Sequence, residues 1–201
     1  MANNPFMESE RYFKKALSKQ KGRDFAAAES FYKKALRLNP MHLDANYLLG
    51  TLYAELRQLD KALKFLHQAE AINPHSQMVK NNLGNVYLLA RQYDQAIACY
   101  QQALSLKPDH GITHYLMGTA FLKKGDVEKA IFFYQNALAL LPESHGFLIS
   151  LGYAYLKQGR YEEARASAQH ALRLTPNSAG ALAILRALDH ARPSTPEARP
   201  H

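Results

Sequence analysis

Two histidines four residues apart, His110 and His114, are the first candidates for a reactive or ligating pair. Imidazoles at that spacing on one helix could ligate a metal such as zinc. The surrounding sequence works against it. Pro108 and Gly111 put His110 in the turn before the helix, and a third ligand would have to come from elsewhere. The adjacent carboxylates Glu162 and Glu163 could serve as an acid–base pair, but no neighbour in the sequence gives a reason for a raised pKa. Cys99 is the single cysteine, which excludes an internal disulfide and a cysteine-based zinc cluster and fits a reducing, cytoplasmic setting. On the helix expected there it reads as inert. No P-loop, G-x-G-x-x-G, G-x-S-x-G or H-E-x-x-H occurs. The expectation is a non-enzyme with no catalytic residue, no metal, no cofactor and no small-molecule substrate.

The elements that carry these residues recur. Pro40, Pro74, Pro108, Pro142 and Pro176 are each 34 residues apart. Ala28, Ala62, Ala96, Ala130 and Ala164 precede them by twelve residues, and Ala35, Ala69, Ala103, Ala137 and Ala171 by five. Gly50, Gly84, Gly118 and Gly152 keep the same period, preceded by Leu49, Leu83, Met117 and Leu151 and followed after three residues by Tyr53, Tyr87, Phe121 and Tyr155. Such a period suits a stacked helix–turn–helix array. Glycine and alanine let two helices of a hairpin touch, and large residues fill the gap beside them. Tyr32, Leu66, Tyr100 and Tyr134 do so from the second helix; the fifth copy has only Ala168, which predicts thinner packing there. Proline cannot continue the helix before it and so ends each hairpin.

These residues make the chain resemble the tetratricopeptide repeat family over most of its length. The fold expected is all-α: a right-handed α-solenoid of antiparallel helix pairs, five such repeats plus a C-terminal capping helix. The expected division is a flexible lead-in at 1–8, repeats at 9–42, 43–76, 77–110, 111–144 and 145–178, a capping helix at 179–191, and a disordered proline-rich tail at 192–201. In the capping helix Leu182 and Leu185 are expected in core register, with Ile184 and Leu188 off it. Asn46, Lys80 and His114 stand where the family usually has a large aromatic, which predicts loosened packing or a solvent-facing position. Turns are expected at Arg57-Gln58, Arg91-Gln92, Gly125-Asp126 and Gly159-Arg160, with Asp126 as a helix N-cap.

The resemblance also implies where a partner would sit. First helices of successive repeats line a concave groove in this family. The matching positions here are Tyr47 and Thr51; Met78, Asn81, Asn85 and Leu88; Ile112, Tyr115, Thr119, Leu122 and Lys123; and Ile149, Tyr153 and Leu156. With neighbouring helices about 8–10 Å apart, five first helices span roughly 40 Å, room for about a dozen extended residues. The mixture of aromatics, aliphatics and amides suits a protein segment with apolar side chains. The clamp by which some co-chaperones hold a partner's terminal carboxylates needs cations where this chain has Ile112 and Leu116, so that subclass is excluded. A ladder of one asparagine per repeat is missing too.

Net charge is +8, from 25 Lys and Arg against 17 Asp and Glu, and the first helix is its most basic stretch. That balance admits an acidic partner, nucleic acid or an anionic surface. No apolar run reaches the ~18 residues that span a bilayer, and no secretory leader is seen at the start. The expected activity is that of an interaction scaffold, adaptor or chaperone with a protein or peptide partner. Self-assembly into a homo-oligomer is the alternative, favoured if Ile184 and Leu188 form an exposed stripe. RNA binding ranks last, because the basic charge sits in the first repeat and does not run along the groove.

Overall fold

A computed structural model describes residues 4–191, with no account of the Ala191 side chain. Among the described residues there are eleven α-helices and no strand. They are α1 (Pro5–Lys21), α2 (Phe25–Leu38), α3 (Leu43–Glu55), α4 (Leu59–Ile72), α5 (Gln77–Leu89), α6 (Tyr93–Leu106), α7 (Gly111–Lys124), α8 (Val127–Leu140), α9 (His145–Lys157), α10 (Tyr161–Leu174) and α11 (Ala179–Ala191). The chain divides into two compact units, 1–108 with α1–α6 and 109–201 with α7–α11.

Each boundary has a local cause. Asp24, Ser76, Asp126 and Ser178 accept a hydrogen bond from the backbone N–H three residues on, and the imidazoles of His42 and His110 do the same through Nδ1. These bonds satisfy donors that the first helical turn leaves orphaned. The residues before the five periodic prolines all leave the helical region, with φ between −135° and −144° at Asn39, Asn73, Lys107, Leu141 and Thr175. That is the steric effect of proline on its predecessor.

The turns inside the helix pairs need a left-handed residue. Glycine supplies it in the second unit, at Gly125 (φ 100°) and Gly159 (φ 79°); arginine is forced into it in the first, at Arg23, Arg57 and Arg91 (φ 58–60°). The N–H one residue further on bonds back five residues at 2.9 Å in each case, for example Gln92 to Tyr87 and Asp126 to Phe121. A side chain pays a steric cost here that glycine does not. Arg91→Gly is expected to raise stability by about 0.5–1 kcal/mol, and Gly125→Ala to lower it by about 1 kcal/mol. Urea midpoints of the two variants check both signs.

Gly50 and Gly118 lie against the second helix of their own pair. A Cβ on Gly118 would sit 2.8 Å from the Tyr134 ring, and one on Gly50 2.8 Å from Leu66 Cγ. Tyr32, Tyr100 and Tyr134 are buried, and each hydroxyl donates to a first-helix acceptor: Gln20 at 2.6 Å, Asn85 at 2.8 Å and Thr119 at 3.2 Å. Burial pushes the Tyr32 and Tyr134 phenols up to about 12.

Four expectations are corrected. First, the helix starts inside the stretch taken as a lead-in: Asn4 accepts from the Phe6 N–H at 3.0 Å, and Pro5 is pre-set for a first helical position. Second, Asn46, Lys80 and His114 neither loosen the packing nor turn to water. Asn46 is buried and donates to the carbonyls of Pro40 (2.9 Å) and His42 (3.1 Å). Lys80 pairs with Glu70 at 2.8 Å and tethers α5 to α4; His114 stacks on Phe133 at 6.0 Å. Burial opposes the Glu70 charge, but hydrogen bonds from Lys80 and His67 outweigh it and hold this carboxyl below its usual range. Third, Ile184 and Leu188, taken as off-register, are buried core residues with Ala181, whereas Leu182 is exposed. Fourth, the gap beside Gly152 is not thinly packed. Ile184 Cδ1 lies 2.9 Å from where a Gly152 Cβ would be, filling the space that Ala168 leaves. The stretch expected as a disordered tail, 192–201, lies outside the described residues.

Candidate partner-binding clefts

In the first unit, α3 and α5 border a cleft of about 340 Å³ lined by Thr51, Glu55, Arg57, Asn82, Asn85 and Leu89 among others. It unites Thr51 and Asn85 of the expected groove residues. Asn85 already accepts the Tyr100 hydroxyl, and Thr51 donates to the Leu48 carbonyl at 2.9 Å. Tyr47 is half-buried, and its hydroxyl accepts from Asn82 Nδ2 at 2.9 Å, joining α3 to α5. Asn81 is 8% exposed and so faces the packing, Leu88 is half-buried, and Met78 is 52% exposed in the first turn of α5.

In the second unit, Leu122, Lys123, Tyr153 and Leu156 come together with Lys157 around a cleft of about 500 Å³ between α7 and α9. Tyr153 is 41% exposed there. Neither Lys123 nor Lys157 forms an ion pair among the described residues. The other expected residues of this unit lie elsewhere. Tyr115 stacks on Phe147 at 4.3 Å and 14°, and its hydroxyl meets Ser150 Oγ at 3.3 Å. Thr119 donates to the Tyr115 carbonyl and accepts from Tyr134. Ile149 packs against Gly180 of α11. Ile112 is exposed at the start of α7 beside Leu140 and Leu141, in a separate cavity of about 280 Å³.

Sequence reasoning missed Arg57 and Val86 in the first cleft. Arg57 enters from the left-handed turn after α3, and no periodic position announces a turn residue as a wall. Lys157 stands one residue past Leu156, at a position that the family register also points into the groove.

The remaining chemistry is quiet. Burial, helped by the charge of Glu70, pushes the Cys99 thiol up to about 11, so almost no thiolate exists at neutral pH. The Arg160 side chain, 2.7 Å from Glu163, holds that carboxyl below its usual range, the reverse of what a general acid needs. Among the described residues no group of three or more His, Cys, Asp or Glu is placed to hold a metal ion, and no helix is long and apolar enough to cross a membrane.

A sequence profile described as tetratricopeptide repeat matches residues 21–85 and 121–188, and a second of the same description matches 76–143. No curated protein sequence matches the chain. Among solved structures it is similar to PilW, described as a type IV pilus biogenesis factor, with a TM-score of 0.81 and 22% identity over 91% of this chain and 87% of that one. The MamA protein superimposes with a TM-score of 0.74 and 24% identity, over 83% and 91% of the two chains. YrrB, described as having an unusual peptide-binding site, gives 0.72 and 20%, over 87% and 90%. At these identities the likeness is one of fold.

Proposed function

The chain belongs to the tetratricopeptide repeat family, and on that premise we propose that it is a non-catalytic scaffold, adaptor or chaperone that receives a segment of a protein partner in the clefts between its first helices. Proteins of this family bind protein or peptide partners. One observation carries the finer reading: the α7–α9 cleft. Tyr153, Leu122 and Leu156 offer apolar area at an open surface, where such area is ordinarily covered, and the ammonium groups of Lys123 and Lys157 flank it without carboxylate partners. That combination suits a segment with an apolar side chain beside an acidic group or a free carboxylate. Tyr contributes contact area at low entropy cost, which is why such residues dominate binding energy.

The test is selection of peptides from a random library on the whole protein, followed by affinity measurement on Tyr153→Ala and Leu156→Ala. The expected result is enrichment of apolar-acidic peptides whose affinity falls at least roughly tenfold in each variant, with the urea midpoint unchanged. Peptides that bind both variants as well as the parent would place recognition elsewhere. Tyr115→Ala is not a clean probe, because its ring is packed on Phe147. Self-assembly loses the argument it drew from α11, since Ile184 and Leu188 are buried.

A further inference from the structure

We propose that the outer face of the first helix pair is a second docking site, separate from the clefts, and that it takes an acidic segment of a partner protein. Residues 5–38 carry nine Lys and Arg against four Asp and Glu. Their arrangement says more than their number. The rings of Tyr12 and Phe31 stack at 6.2 Å and 23° across α1 and α2. Two ammonium groups converge on that one ring pair: Lys15 Nζ lies 6.0 and 5.9 Å from the two centroids, and Lys34 Nζ 5.8 and 5.3 Å. The Arg11 guanidinium, itself paired with Glu8, lies 5.6 Å from the Tyr12 ring.

The carboxylates nearby are spent elsewhere. Glu8 pairs with Arg11 at 3.5 Å, Glu10 with Lys14 at 3.7 Å, and Glu29 with Lys33 at 2.6 Å. Neither Lys15 nor Lys34 pairs with a carboxylate among the described residues. The ring faces attract the two cations, but they leave the mutual repulsion of the cations uncompensated. A carboxylate set between the two ammonium groups removes it. Fields of this kind also steer an acidic partner toward the face before contact.

The occupant is a peptide rather than a nucleic acid for a structural reason. Single strands are held by stacking bases on open aromatic faces. Here the rings face each other, are half-buried, and have lysines over them.

The experiment measures binding of a fluorescent oligoglutamate peptide to the whole protein at low salt, for the parent, for Lys15→Gln with Lys34→Gln, and for a control pair of equal charge loss, Lys64→Gln with Lys107→Gln. The first pair is expected to weaken binding at least about tenfold and to flatten its salt dependence, while the control pair changes it by less than about twofold. Circular dichroism melting confirms that both double variants fold. Absence of binding by the parent, or equal loss in both pairs, overturns the proposal. So does tighter binding of oligouridine, or of vesicles containing phosphatidylserine, that the first pair abolishes; those outcomes would assign the face to RNA or to lipid.

Discussion

Tyr100→Ala is expected to destabilise the first unit by about 3–5 kcal/mol, a large part of the stability of an ordinary domain. The ring is fully buried on α6 against Gly84 of α5. Nothing in the pair can move in to replace it, because the space exists only where Gly84 lacks a Cβ. Truncation therefore opens a cavity, and it also removes the hydrogen bond to Asn85 Oδ1. Tyr100→Phe separates the two losses: the ring stays, and only about 0.5–1.5 kcal/mol is expected to go. Urea unfolding followed by circular dichroism measures both, and hydrogen exchange should locate the loss in α5 and α6. A Tyr100→Ala cost under about 1 kcal/mol would mean that the helix pair is not held by this ring, because full burial of an aromatic predicts more.

The second large effect is at the other end. Ile184→Ala is expected to cost about 2–5 kcal/mol, whereas Leu182→Ala, two residues earlier on the same helix, should stay within about 0.5 kcal/mol. Ile184 fills from α11 the place beside Gly152 that Tyr100 and Tyr134 fill beside Gly84 and Gly118 from the second helix of their own pairs. Losing it uncovers α9 and α10 together, and stability in stacked arrays depends on such neighbour contacts. Comparable costs at both positions would show that α11 docks with a different face from the one described.

The groove positions of the family register divide in the structure between the open clefts and the contacts between helices. Tyr153, Leu122 and Leu156 were legible as cleft residues because the family register projects them from successive first helices, and the structure keeps them at an open surface. Tyr47, Tyr115 and Ile149 hold the same register, yet each touches the helix two places on, α5, α9 and α11 respectively. Whether a long side chain at a groove position reaches into the cleft or bridges to its neighbour depends on what that neighbour offers. Phe147 offers Tyr115 a ring to stack on, and Asn82 offers Tyr47 an amide to bond.

The repeating positions carry the pairing of helices, the turns and the contacts of Gly50, Gly84 and Gly118 with Leu66, Tyr100 and Tyr134. All of these join residues within one hairpin, where the short connection fixes which faces meet. What lies between hairpins and at the ends, Ile184 beside Gly152 included, depends on which neighbouring helix is there to pack against. Leu182 and Leu185 occupy in α11 the register of Leu148 and Leu151, which in α9 are buried in a helix that has a paired partner after it. Among the described residues no helix follows α11, so only the side toward the preceding pair is covered, and that side carries Ala181, Ile184 and Leu188. A periodic pattern assigns each residue its position on a helix; burial requires a neighbour on that side, and at the last helix one neighbour is missing.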